Sequence, residues 1–238
     1  MGIRRLAAAV LVVGACASGC GPAHSRTAPP APAETATPIR APIVMFLGDS
    51  YTTGGLKIPP ESAYAAATAR ELGWQVIIGG LGGTGFVAAG ATHEPFAVLF
   101  ERQLAWRPSP DMVIVSGGHN DRTYAPATVA AAAEGLLAKI RQLWPDSRLV
   151  LIGPMWGSGA PDASVLEIRD ALKVAARAVK VPFIDPLGGK WITGDRGGQA
   201  GNAERYIMRD GVHPNDDGHR YLASRLVAEL RRLGLAEP

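Results

Sequence analysis

From residue 43 onward the chain alternates between two hydrophobic patterns. Five short runs are apolar at nearly every position: "IVMFL" (43–47), "WQVII" (74–78), "MVIVS" (112–116), "RLVLIG" (148–153) and "VPFID" (181–185). Between and after them lie longer, Ala-rich stretches with helical spacing: "ESAYAAATARELG", "EPFAVLFERQLAW", "APATVAAAAEGLLAKIRQLW", "DASVLEIRDALKVAARAVK" and "NDDGHRYLASRLVAELRRLG". Strands that are apolar throughout are buried on both faces, and helices between them supply the crossovers that parallel pairing requires. The pattern predicts a three-layer α/β domain with helices on both faces of a parallel sheet. In such sheets ligands sit beyond the carboxyl ends of the strands, so the residues following each run are the ones to inspect.

The 42 residues before this domain read differently. "MGIRRLAAAVLVVGACASGC" sets Arg4 and Arg5 ahead of an apolar stretch long enough for an export signal and too short for a spanning helix. It ends in "ASGC", small residues directly before a cysteine, which resembles the lipobox of bacterial lipoproteins. Residues 1–19 are therefore expected to be a signal peptide, with Cys20 lipidated; the alternative "VGAC", ending at Cys16, shortens the apolar region. Residues 20–42, dominated by Pro, Ala and Thr, bury too little to offset ordering entropy and are expected to form a flexible tether. The domain is then 43–238, exported and held extracytoplasmically at the cell membrane.

Composition narrows the functional classes. With 238 residues and 47% hydrophobic content, one domain with a substantial core is expected. Both cysteines lie ahead of the domain, at 16 and 20, so the domain has neither a disulfide framework nor a cysteine metal site. The formal charge is +3, and two of those charges are the leader's arginines, leaving +1. No cluster of basic residues interleaved with aromatics appears, so a nucleic-acid partner is not expected.

Chemistry concentrates after the strands. The first run delivers "GDS", the second "GGLGGTG", the third "GGHND" and the fourth "PMWGSG". Each piece alone fits a tight turn. Together they supply a nucleophile, Ser50, and donors for an oxyanion: the Ser50 amide, a loop glycine amide and the Asn120 side chain. Near the C-terminus "RDGVHPNDDGH" sets Asp210 three residues before His213, a spacing that lets a carboxylate hold the imidazole in one tautomer so that it takes the proton of Ser50.

Gly48-Asp49-Ser50, a glycine of "GGLGGTG", Gly118-His119-Asn120-Asp121 and Asp210-Gly211-Val212-His213 resemble, in order and spacing, the blocks of the SGNH/GDSL hydrolase superfamily, over essentially all of residues 43–234. The resemblance implies a five-stranded flavodoxin-like sheet, no cofactor, and ester hydrolysis through an acyl-serine. It carries over Ser50 as nucleophile, His213 as base, Asp210 as its partner, and Ser50, Asn120 and a loop glycine as oxyanion donors. By-eye alignment favours Gly83, with Gly82 and Gly85 as neighbours. Tyr51 departs from the Leu of the strict GDSL tetrapeptide. The expected activity is hydrolysis of acetyl or short acyl esters on envelope glycans or lipids, by a monomer. Acyl transfer to a glycan is the alternative enzyme reading, and a silent binding domain the non-enzymatic one.

Two rivals fit less well. Gly80-x-Gly82-x-x-Gly85 matches a dinucleotide fingerprint, but "FVAAGATHEP" is a poor helix start and Glu101 falls inside a helical stretch. His119, Asp121, Asp210, His213, Asp216, Asp217 and His219 are possible metal ligands by type, yet show no HExxH motif and no His pair at i, i+4, so no metal is expected. Asp216 and Asp217 suit the start of the last helix. Asp49 and Asp121 are expected to brace loop backbone, and Trp156 and Trp191 either line a pocket or pack in the core.

Overall fold

A computed structural model of the protein describes residues 40–55 and 58–238. Cys16 and Cys20, the signal and most of the tether lie outside the described residues. Five strands form one sheet: β1 (Ile43–Gly48), β2 (Gln75–Gly80), β3 (Met112–Ser116), β4 (Arg148–Ile152) and β5 (Phe183–Ile184). They are parallel throughout, in the order β2-β1-β3-β4-β5.

Side-chain alternation along the central strands divides the core in two. Met45, Leu47, Val113, Val115, Leu149 and Leu151 point to one face. There they meet α3 (Phe96–Gln103), α4 (Pro126–Leu143) and α5 (Ala163–Ala178) through Phe100, Leu137 and Leu172, among others. Val44, Phe46, Met112, Ile114, Val150 and Ile152 point to the other, against Tyr64 of α2 (Tyr64–Leu72) and Leu222, Leu226 and Leu230 of α7 (Asp216–Arg232). Each such fully buried side chain stabilises the fold by roughly 1.5–3 kcal/mol, so β1, β3 and β4, buried on both faces, dominate.

The long elements fall where the hydrophobic pattern predicts them, and the short ones do not. The run at 181–185 forms only a two-residue edge strand. Pro182 has no N–H to donate and contributes only its carbonyl, which accepts from Leu151 N. Single turns at Ser50–Thr53 (α1) and Ala203–Tyr206 (α6) arise inside stretches with no helical periodicity. So does the 3₁₀ turn His119–Asp121, whereas the 3₁₀ turn Pro60–Ser62 takes up the first residues of the helical stretch that begins at Glu61.

The sheet order positions the chemistry. Register pairs Gly48 with both Gly80 and Ser116, and Ser116 with Ile152, so four strands end at one edge. Chain leaving β1 turns one way to β2, whereas β3 lies on the other side of β1. Loops after β1 and β3 diverge there, at the point where open α/β sheets form a crevice. At the opposite edge Arg40 donates twice to Asp111, at 2.8 and 2.7 Å, which ties the start of β1 to that of β3.

Candidate active site

Ser50 opens α1 directly after β1 and is buried, at 7% exposure. The turn SYTT has little intrinsic helical preference, since two of its four residues are β-branched. Asp49 supplies what propensity lacks: as N-cap its carboxylate accepts from Tyr51 N at 2.9 Å, and its carbonyl accepts from Thr52 N and Thr53 N at 3.0 Å. The other carboxylate oxygen lies 3.3 Å from His119 Nδ1, both side chains being buried. Asp49 thus braces the turn, as expected, and His119 braces Asp49.

His213 reaches Ser50 from a loop 163 residues away, with Nε2 2.9 Å from the serine Oγ. Its Nδ1 lies 3.0 Å from Asp210 Oδ2. The second Asp210 oxygen accepts from the backbone N–H of Val212 and of His213, each at 3.0 Å. Partial burial alone would push this carboxyl up; the two amides and the His213 ring outweigh it and hold it down at about 2. An ionised Asp210 accepts the Nδ1 proton, which leaves Nε2 free to accept from the Ser50 hydroxyl. Hydroxyl, imidazole and carboxylate in series is the arrangement that activates serine nucleophiles.

Asn120 lies in the 3₁₀ turn after β3, and its Nδ2 donates to Thr84 O at 2.9 Å. That bond fixes the amide orientation and uses one of two hydrogens, leaving the other available. The loop after β2 contributes the glycines. A Cβ placed on Gly82 would stand 3.5 Å from Ser50 Cβ, whereas one on Gly83 would approach only Gly90, at 3.9 Å. Of the glycines in this loop, Gly82, the neighbour of the expected Gly83, is therefore the one beside Ser50. Among the described residues the amides of Ser50 and Gly82 donate to no carbonyl or side chain, while that of Gly85 is already spent on Ala88 O at 2.8 Å.

Gly85 has a different task. Any side chain there would put Cβ 2.3 Å from Asp121 Oδ2, so only glycine lets this carboxylate approach. Asp121 is fully buried and accepts from the amides of Phe86, Val87 and Ala88 at 3.0, 2.8 and 2.8 Å. Burial pushes its pKa up, against those three donors. Asp121 thus ties the Asn120 turn to the glycine loop, alongside the Asn120–Thr84 bond. Thr84, which the sequence did not single out, shares the task; its own hydroxyl donates to Leu81 O at 2.6 Å.

After Gly85 the chain makes a turn with a Thr84–Ala89 bridge, and no helix opens until Phe96, unlike a dinucleotide site. His219 lies on α7, its Nδ1 accepting from Tyr64 N at 3.1 Å. Among the described residues no three or more His, Cys, Asp or Glu side chains cluster as a metal site would need. Trp156 and Trp191 both line a cavity of about 290 Å³ between the loops that follow β4 and β5, Trp191 buried and Trp156 partly exposed.

Comparison with known proteins gives the family and the fold. The GDSL-like lipase/acylhydrolase family matches residues 46–221. A GDSL lipase of Mycobacterium tuberculosis is 32% identical over 195 residues, covering 77% of this chain and 79% of that protein. Among solved structures, a carbohydrate acetylesterase from Sinorhizobium meliloti superposes with TM-score 0.64 at 18% identity, covering 81% of this chain and 99% of its own. An aryl esterase of M. smegmatis superposes with TM-score 0.62 at 20% identity, covering 81% and 100%. A sheet of this order, with the family's blocks at one edge of it, leaves one assignment: the chain belongs to the GDSL-like lipase/acylhydrolase family and is an ester-hydrolysing enzyme.

Proposed function

We propose that the protein is an exported, lipid-anchored serine esterase that removes acetyl or short acyl groups from cell-envelope glycans or lipids. The observation that carries the reading is the 2.9 Å approach of His213 Nε2 to Ser50 Oγ, with Asp210 3.0 Å behind the imidazole. Ser50 Oγ attacks the ester carbonyl as its proton passes to His213 Nε2. Asp210 holds the imidazole and stabilises the imidazolium that forms. The amides of Ser50 and Gly82 and the free Asn120 Nδ2 hydrogen receive the developing oxyanion, each such donor being worth on the order of a hundredfold in rate. His213 returns the proton to the departing alkoxide, and the same machinery then activates water to release the acid and restore Ser50.

Two features favour a polymeric ester. Asp210, Gly211 and Val212 are exposed, so the His213 loop meets solvent and a bulky alcohol has room to leave. The superposable Sinorhizobium protein is a carbohydrate acetylesterase. Anchoring at Cys20 would keep the domain beside its substrate. The test is acetate release from an acetylated polysaccharide by membrane and soluble fractions of cells expressing the whole chain. Activity is expected with the membranes for the parent and in the soluble fraction for Cys20→Ser. No acetate release contradicts the substrate class, and membrane-bound activity that survives Cys20→Ser contradicts the anchor.

A further inference from the structure

The loop that carries His213 packs its Gly211–Val212 backbone against Gly157, where an added Cβ would stand 2.2 Å from Gly211 O, but that contact carries no hydrogen bond to orient the loop. Asp210, Gly211 and Val212 are exposed, and among the described residues the only ladder pairing between Ile207 and Asn215 is the Ile207–Pro214 bridge. Its internal bonds, Met208 N to His213 O at 2.8 Å, Gly211 N to Met208 O at 3.0 Å and the two amides on Asp210, fix its shape. They do not fix where that shape sits relative to Ser50.

Among the described residues two hydrogen bonds join this loop to the turn at 49–53. One is the reacting contact between His213 and Ser50. The other runs from the Tyr51 hydroxyl to the carbonyl of Val212, at 2.5 Å. That carbonyl belongs to the same peptide plane as His213 N–H, which donates to Asp210 Oδ1 at 3.0 Å. The peptide that leads into His213 is thus held at both ends, by Asp210 from within the loop and by Tyr51 from the nucleophile's turn. Since a peptide plane is rigid, fixing both ends sets the direction from which the imidazole departs.

Tyr51 is itself well seated. It is 2% exposed, with its ring edge-on to His119 at 5.2 Å and tilted against His213 at 6.1 Å. Its amide is tied to Asp49. Burial, reinforced by the charges of Asp49 and Asp210, pushes the phenol far above its ordinary range, so it stays protonated and donates at every working pH.

We propose that Tyr51 is a positioning residue: its hydroxyl, through the Val212 carbonyl, holds the His213 loop in register with Ser50. The proposal rests on the esterase reading above. It also gives a duty to the position at which this chain departs from the strict GDSL tetrapeptide.

The test is a double-mutant cycle on the whole chain, using p-nitrophenyl acetate. Tyr51→Phe removes one oxygen and keeps the ring. It is expected to lower kcat about tenfold with KM within about twofold, since a lost hydrogen bond misplaces the base without altering the ester site. In a His213→Ala background the same change is expected to alter the residual rate by less than about twofold, because Tyr51 acts through His213. A parental kcat in Tyr51→Phe overturns the proposal. So does an undiminished tenfold loss in the His213→Ala background, which marks a general structural role. Parent hydrolysis that persists in both Ser50→Ala and His213→Ala overturns the esterase reading itself, and Tyr51's role with it.

Discussion

At the scale of single residues the site divides into groups that react and groups that hold them, and charge separates the two. Asp210 and Asp121 are both carboxylates that accept backbone amides. Asp210 is part-exposed, held near 2, and in line with His213; Asp121 is buried, pushed up, and touches only loop amides. Asp210→Asn tests the first role. Its oxygen still accepts an amide, so the loop keeps its fold, but its NH₂ no longer accepts the Nδ1 proton and the imidazole loses its tautomer. The expected outcome is a fall in kcat of about two to four orders of magnitude with unchanged far-UV circular dichroism; a fall below tenfold contradicts the assignment. Ser50, Asn120, Asp210 and His213 were legible as candidates because their types and order narrow the chemistry. The choice of glycine was not legible. Gly82, Gly83 and Gly85 are chemically identical, and only the loop's path, with Gly82 facing Ser50 and Gly85 facing Asp121, separates them.

At the scale of elements, long hydrophobic runs were readable and single turns were not. Strands β1, β3 and β4 are buried on both faces and had no alternative to an apolar sequence. The turn α1 exists because Asp49 caps it and Tyr51 packs beneath it, causes that no local periodicity encodes. Tertiary context also decides the state of His219 on α7. Burial, helped by the His213 charge and opposed by Asp216, pushes its pKa down to about 4 from 6.5. Between those values the unfolded chain binds a proton that the folded one refuses, so stability is full above about pH 6.5 and is lost as pH falls toward 4, by up to about 3 kcal/mol. His219→Asn keeps an acceptor for Tyr64 N. Urea unfolding at pH 7 and pH 4.5 is expected to show a smaller drop for this variant than for the parent; equal drops contradict the buried, neutral assignment.

At the scale of the whole molecule, the parallel order β2-β1-β3-β4-β5 is what turns four scattered motifs into one site. Parallel strands carry every strand's C-terminal loop to the same edge, which is why Ser50, the Gly82 loop and Asn120 lie along one edge. His213 comes from the far end of the chain, just ahead of α7, which packs with α2 in the same core cluster that holds Tyr51. Class and layers were legible from alternating patterns and the resemblance implied a flavodoxin-like sheet, whereas the strand order itself is set by pairing that no single segment encodes. The central claim is that this edge activates Ser50. The direct measurement is labelling of the folded protein by a fluorophosphonate probe, with the adduct located by mass spectrometry. The account predicts a Ser50 adduct in the parent, none in Ser50→Ala, and labelling slowed at least a hundredfold in His213→Ala. No labelling of the folded parent, or equal labelling of Ser50→Ala, would contradict it.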